Sequence, residues 1–501
     1  MKTKTTKNTA PKGNSLLSAM KTKDTVTHNG AVSHSTTGTK VLDLFGKGGA
    51  MRSQSEADVI NLFSGAYTED KTLALKVLFY LADVRQGQGE RKLFRTCYNW
   101  LAENDSKVAT KLLEYIPEYT RFDNVLETLE NTKLEEKALD FIAKQLKADL
   151  KAEAPTLCAK WAPSEQASSQ VTKRLARKLR THMELSPKAY RKMLSKLRKE
   201  IDIVERKMCD DKWSKINYEA VPSRASTIYR DAFKKHDPEG YTKFIGQVEK
   251  GEKKINASVL YPYDIVRNFT GYTASADATL EAQWKALPDY LKDNPHNGLV
   301  VADVSGSMDS SGYYGGKTTN VKPLDVAVSL AIYFAERNKG AFHNNFMVFS
   351  SQAVLKELKG RTLQAKVKDV LGDRPVANTN LQSVFNLILD KATEFKVPES
   401  DMPSVIYLIS DMQFDSACEG KTNLEAIKDK YEKAGYKMPR IVFWNVNSYE
   451  DVPVKVNDKG VCLVSGCSPS ILKTVFNNKI VTPWDVMVQT VTTERYEPIK
   501  A

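Results

Sequence analysis

Two sets of residues in this sequence have the types and spacing to do chemistry. The first set carries oxygen. Asp303, Ser305 and Ser307 stand at alternate positions in Asp303-Val-Ser-Gly-Ser307, Asn378-Thr379-Asn380 follows farther along, and Asp411 comes directly after Ser410. Carboxylate and hydroxyl oxygens suit a hard cation, and Mg²⁺ takes about six oxygens at roughly 2.0–2.1 Å while keeping some waters. In such an arrangement Ser305, Ser307 and Thr379 bind directly, and Asp303 and Asp411 hold coordinated waters. The expected cofactor is therefore Mg²⁺ (or Mn²⁺). Few direct carboxylates leave the ion electrophilic, with a position open to an acidic group from a protein partner. The alternative for Asp303 and the serines is a capped turn that starts the next helix.

The second set is basic. The 501 residues carry 74 Lys and Arg against 61 Asp and Glu, a net charge of +13. That excess is local. Residues 1–40 hold seven Lys and one Asp, and residues 173–207 hold thirteen basic and four acidic side chains. Residues 297–501 are nearly neutral, with 24 basic and 23 acidic groups. Lys173, Arg174, Arg177, Lys178 and Arg180 form one cluster, and Lys188, Arg191, Lys192, Arg198 and Lys199 form a second. A solvated helix face accounts for such runs. A surface for RNA phosphates accounts for them better, because solvated helices mix both signs.

These residues need elements to position them. Residues 1–40 are rich in Thr, Lys, Ser and Asn, and they are expected to form a disordered basic tail. Residues 41–296 show helical periodicity, as in Leu93, Phe94, Cys97, Trp100 and Leu101, with prolines between segments. The run Leu73 to Ala82 is apolar nearly all round and predicts a buried helix. After Pro187, a stripe of Tyr190, Met193, Leu194, Leu197, Ile201 and Val204 puts the second basic cluster largely on the opposite side of a helix. From residue 297 the pattern changes to short apolar strands alternating with helices. Strands are predicted at 298–303, 346–349, 405–409 and 441–444, and helices at 324–337, 381–393 and 424–434. That alternation predicts a mostly parallel, doubly wound sheet, with ligands beyond the carboxyl ends of its strands. Asp303 and Asp411 fall at two such ends. The expected fold class is α plus α/β: a helical array over 41–296, an α/β domain over 297–490 and a tail over 491–501.

The loop Asp303-Val-Ser-Gly-Ser307, followed in order by the Thr379 loop and Asp411, resembles the metal-ion-dependent adhesion site (MIDAS) of von Willebrand factor A domains. The Thr379 loop lacks the paired glycines often found before it. Four segments of the N-terminal half add a second resemblance: Phe79 to Arg91, Ile116 to Asp123, Leu157 to Glu165 and Tyr261 to Val266. They look like a poorly characterised family of plants, fungi, bacteria and phages, related in layout to the Ro autoantigen (TROVE) proteins. This resemblance implies HEAT-like helical repeats, a ring closed by the A domain, and binding of small structured RNAs or single-stranded RNA ends. The basic residues of 173–199 are candidates on charge alone, and the resemblance to Ro assigns none of them.

Rival chemistries fail on particular residues. Gly312-Tyr-Tyr-Gly315-Gly316-Lys317-Thr318 has Ser311 where a phosphate loop needs glycine, and Pro323 interrupts the helix that should follow. A haloacid-type phosphatase needs Asp where Ser305 stands. Gly87-Gln-Gly89 lacks the third glycine of a dinucleotide loop, and no Ser-His-Asp or Cys-His grouping has a supporting context. An enzyme and a small-molecule substrate are not expected. No apolar run reaches the 18 or so residues of a membrane helix, the N-terminus lacks a signal-like apolar core, and the six cysteines are scattered. A cytoplasmic location is expected, in the host or in a virion if a phage encodes the chain. The function expected is RNA binding by a ribonucleoprotein component of Ro-like architecture. The alternative is a metal-dependent protein-interaction module of a phage or host assembly, with no RNA role.

Overall fold

The computed structural model describes residues 25–271, 275–292, 297–309, 313–314, 317–318, 321–372, 377–417, 419–477 and 482–501. Residues 1–24 of the expected tail and Gly312, Gly315 and Gly316 of the rejected phosphate loop lie outside them.

The N-terminal half is helical. Its longer helices are α1 (Lys40–Gly48), α2 (Glu56–Glu69), α3 (Lys71–Ala82), α4 (Arg91–Asn104), α5 (Glu135–Asp149), α6 (Gln170–His182), α7 (Pro187–Glu200), α8 (Ser223–His236), α9 (Pro238–Glu249), the short α10 (Pro262–Val266) and α11 (Ala278–Lys285). Polar caps fix where several begin. The side chains of Ser55, Asp70, Ser169 and Ser186 each accept the backbone N–H of the residue three positions on. Helix α3 is buried over Ala74, Leu75 and Val77–Ala82, as its all-round apolarity predicts.

The C-terminal half is built on a six-stranded sheet. Its strands are β3 (Gly298–Asp303), β4 (Asn345–Phe349), β5 (Ala353–Glu357), β6 (Val405–Ser410), β7 (Arg440–Asn445) and β8 (Val461–Ser465), with β1 and β2 kept for a small N-terminal hairpin (Thr25–Val26 and Val32–Ser33). The order across the sheet is β8-β7-β6-β3-β4-β5. All pairings are parallel except that of β4 with β5. β5 and β8 were not anticipated: β5 is half-exposed at an edge, without a clear apolar face, and β8 is a short run beside Cys467.

Alternate residues of each strand feed opposite faces, as the pleat requires. Val300 and Ala302 face α12 (Pro323–Arg337), in an apolar core continuous with α1 to α4. Leu299 and Val301 face α14 (Leu381–Glu394) and α15 (Asn423–Ala434); α13 (Leu363–Leu371) precedes α14. Edge strand β8 is covered by α1. Ser465 Oγ donates to Phe45 O at 2.7 Å and accepts from Gly49 N at 2.9 Å. A side chain at Gly49 would collide with the Ser465 carbonyl, so glycine allows that close approach.

The first and last parts of the helical array meet. Arg52 Nη1 donates to Tyr263 Oη at 3.2 Å and Arg52 Nε bonds Glu90, while α10 packs on α12. Thus both ends of the array rest against the α/β unit.

Two segments expected to be tails are packed. Residues 25–37 form a strap over the α/β unit. Gly30 bridges to Asp415, Val32 to Thr422 and His34 to Val452. The segment is held by polar pairing with the sheet's loops rather than by apolar burial, which is why its composition gave the opposite expectation. Residues 491–501 form a clasp on the helical array. Arg495 and Tyr496 both donate to the fully buried Asp83, Ile499 is buried, and Ala501 N donates to Thr72 Oγ1 at 3.4 Å. The Phe79–Arg91 motif also meets the segment that follows β8. Gln88 Oε1 accepts from Ser468 N at 2.9 Å, and Gly87 O accepts from Ser470 Oγ at 3.2 Å.

Candidate metal centre

β3 and β6 are neighbours, so Asp303 and Ser410–Asp411 emerge side by side at the carboxyl edge of the sheet. Asp303 is fully buried. Its Oδ1 accepts from Ser305 N at 2.9 Å, closing a tight turn that folds the serine loop back over the strand end. Its Oδ2 accepts from Ser410 Oγ at 2.6 Å. Ser305 Oγ and Ser307 Oγ lie 3.3 Å apart. The Thr379 loop is fixed from β4: Ser350 Oγ donates to Asn378 O at 2.9 Å, and Asn380 N donates to Ser350 O at 2.8 Å. Gly306 N donates to Ala377 O at 3.4 Å, which joins this loop to the serine loop. Thr379 also exchanges two bonds with Asp415: Thr379 N donates to Asp415 Oδ1 at 3.2 Å, and Thr379 O accepts from Asp415 N at 2.9 Å.

Asp411 differs from Asp303. Its Oδ1 accepts from Gln413 N at 3.2 Å, and its Oδ2 is buried with no hydrogen-bond partner among the described residues. Burial pushes both carboxyls above the usual range; for Asp411 the neighbouring Asp303 adds to the rise and the Ser307 hydroxyl opposes it, while Ser305 and Ser410 oppose it for Asp303. Among the described residues no cationic side chain pairs with either carboxyl, and two such buried groups are costly unless something else supplies positive charge. The donor set is oxygen only and rich in hydroxyls. Among the described residues, no three His, Cys, Asp or Glu side chains converge as a metal cluster. This composition fits a hard cation rather than zinc.

Sequence reasoning missed two contributors. Ser410, beside Asp411, holds Asp303. Asn29, from the strap, donates from Nδ2 to Gln413 O at 2.7 Å and to Thr379 Oγ1 at 3.4 Å. Ser410 was legible as a hydroxyl at a strand end. Nothing in the local sequence signalled Asn29.

The basic residues do not all present free charge. Arg174 pairs with Glu130 at 2.7 Å, Lys178 with Glu135 at 2.8 Å and Arg180 with Glu165 at 2.9 Å. Arg198 donates to the carbonyls of Ala159 and Ala162. The balancing acids come from other segments of the chain, so the charge excess of 173–207 is smaller in the fold than along the sequence. Arg177, Lys188, Arg191, Lys192 and Lys199 are exposed and, like the half-buried Lys173, make no ion pair among the described residues. In the same residues no helix is long and apolar enough to cross a membrane.

A helical array closed against an α/β unit, with a hydroxyl-rich carboxylate cluster at the sheet's edge, describes the architecture. Its kinship follows from sequence comparison. The chain belongs to the family described as Domain of unknown function (DUF2828), whose model matches residues 27–120 and 124–296, just over half of it. A second model, Domain of unknown function (DUF7788), matches residues 297–499. The chain is also similar to Uncharacterized protein L728 of Acanthamoeba polyphaga mimivirus, at 29% identity over 507 residues that take in 92% of this chain and 86% of that protein.

Proposed function

We propose that the α/β unit is a von Willebrand factor A-like domain that holds Mg²⁺ (or Mn²⁺) and uses it to engage an acidic group of a protein partner. The buried Asp411 carboxyl, set beside Asp303 and the serine hydroxyls with no cation on it and no hydrogen-bond partner within ordinary range of Oδ2 among the described residues, carries this reading. The sheet order, with a single antiparallel edge strand, supports the A-like fold. Ser305, Ser307 and Thr379 would hold the ion directly, and Asp303 and Asp411 through water. The ion would act as an electrophile toward a carboxylate, so the protein binds rather than catalyses. Thermal melts with and without Mg²⁺ or Mn²⁺ test this. A rise in Tm that disappears in Asp411→Asn and in Ser305→Ala/Ser307→Ala supports it, and no rise in the native chain overturns it.

The second reading is RNA binding by the helical array, read as HEAT-like repeats in a Ro-like cytoplasmic ribonucleoprotein. The exposed, unpaired cations Arg177, Lys188, Arg191, Lys192 and Lys199 on α6 and α7 favour it. The meeting of the two ends of the array supports a closed arrangement. Titration with structured and single-stranded RNA across salt is the measurement. Affinity that does not fall with salt counts against this reading.

A further inference from the structure

Four segments that stood out in the sequence, far apart along the chain, converge on one cluster of guanidinium groups. Arg91, from the first turn of α4, lies 3.7 Å from Asp123 Oδ2. Arg95 lies 3.1 Å from the same oxygen, and Arg121 also bonds Asp123. Three guanidiniums thus share one carboxylate. Arg121 sits over the indole of Trp161, with its central carbon 4.4 Å from the ring centre. Arg224, from α8, pairs with Asp264 at 3.1 Å, and its charge is felt by Arg91.

The charges here do not balance. Arg95 is committed to Asp123, Asn124 and Glu127, and Arg224 to Asp264. Four guanidiniums therefore face three carboxylates. The surplus cation is Arg91, which is in ion-pair range of Asp123 but donates no hydrogen bond among the described residues. Burial lowers its proton affinity, and Arg121 lowers it further. Asp123 opposes this, while Arg224 and Arg95 add to the lowering. Its place in the first turn of α4 adds a further cost, because the helix dipole disfavours a cation there. The cluster is nonetheless open to solvent, with side-chain exposures of 42% for Arg91, 32% for Arg121 and 46% for Arg224. Crowded, accessible guanidiniums with spare donors are what a phosphate group recognises.

We propose that Arg91, Arg121 and Arg224 form a phosphate-binding site, with Arg121 held in place by Trp161, and that it takes a phosphate of single-stranded RNA. The proposal deepens the RNA-binding reading and rests on it, but it moves the decisive contact from α6 and α7 to this cluster. Free phosphate shares the same chemistry, so the test has two arms.

The first arm titrates the full chain with a single-stranded oligoribonucleotide. Arg91→Gln should weaken binding about tenfold or more, the loss of one charge-assisted hydrogen-bonding group. It should also reduce the salt slope by about one. Its Tm should hold or rise, because the removed charge was repelled by its neighbours; a purely structural residue would lower it. Arg91→Lys keeps the charge without the fork, and it should lose less affinity than Arg91→Gln at unchanged Tm. Equal losses accompanied by a fall in Tm in both variants overturn the site. So does unchanged affinity in Arg91→Gln with loss in Arg177→Gln/Lys188→Gln/Lys192→Gln, an outcome that leaves the RNA reading standing.

The second arm uses inorganic phosphate alone, followed by ³¹P line broadening. If the native chain binds no RNA but broadens the phosphate signal, and Arg91→Gln does not, the site stands and the RNA reading falls. Without broadening in the native chain and without RNA binding, both fall.

Discussion

Asp83 and Asp411 are both fully buried carboxylates, and they teach opposite lessons. Asp83, in the helical half, is closed off: Arg495 reaches it through two nitrogens and Tyr496 Oη donates to it at 3.0 Å. Its charge is answered within the chain. Asp411, in the α/β half, has a backbone amide on one oxygen, while its other oxygen, beside the Ser307 hydroxyl, meets no cation and no hydrogen-bond partner within ordinary range among the described residues. A buried charge with its partner in place is architecture. A buried charge without one is an invitation to something from outside.

Substitutions at the two places can break or sharpen this contrast. The largest effect is expected for Arg495→Ala, which strands Asp83 in the interior. Breaking a buried pair on one side costs about 3–5 kcal/mol, read as a shift in the denaturation midpoint. A cost below about 1 kcal/mol, the scale of exposed pairs, would mean that Asp83 is not held as described. Next comes Ser410→Ala, which deprives Asp303 Oδ2 of its donor and should destabilise the chain by about 1–3 kcal/mol in chelator. Asp411→Asn should behave in the opposite way. In chelator the amide removes an unanswered charge, so stability should hold or rise by about 1 kcal/mol, while any Mg²⁺-induced rise in Tm is lost. A strong loss of stability in chelator would show that Asp411 is answered by the protein after all. The smallest effect is expected for Asn29→Ala, about 0.5–1.5 kcal/mol for the bond to Gln413 O, measured by the same unfolding curves.

The contrast also explains what could be read before the structure. Asp303, Ser305 and Ser307 were legible because they follow a short apolar strand, and strand ends in a doubly wound sheet are where ligands gather. Thr379 and Asp411 followed from the order of loops along the chain. Their local arrangement is set by backbone bonds such as Gly306 N to Ala377 O, which leave no mark in composition. Helices α4 and α7 were legible because apolar periodicity survives wherever one face is buried, and α3 because it is apolar nearly all round. The strap was not. Thr27, Asn29 and Ser33 bind loop carbonyls and carboxylates, and the same polar residues in solution signal disorder. The basic run misled for a related reason. The partners of Arg174, Lys178 and Arg180 lie 15 to 44 residues away, beyond any local count. Asp83 could be seen within a motif, but nothing near it pointed to Arg495, 412 residues later.

The seating of α1 on β8 has a consequence for how the chain is made. Gly49 and Ser465, joined by one hydrogen bond, are 416 residues apart. At ordinary rates of synthesis, about 5–20 residues per second, α1 leaves the ribosome roughly 20–80 s before its strand exists. Val41, Leu44 and Phe45, all buried in the finished protein, spend that interval without their full cover. The helical half can gather locally while it waits, but its first helix is locked by β8, the last strand to emerge among the described residues. Folding of the two halves is therefore one event in its final step, and a ribosome stalled before residue 461 would display an apolar helix still waiting for its sheet.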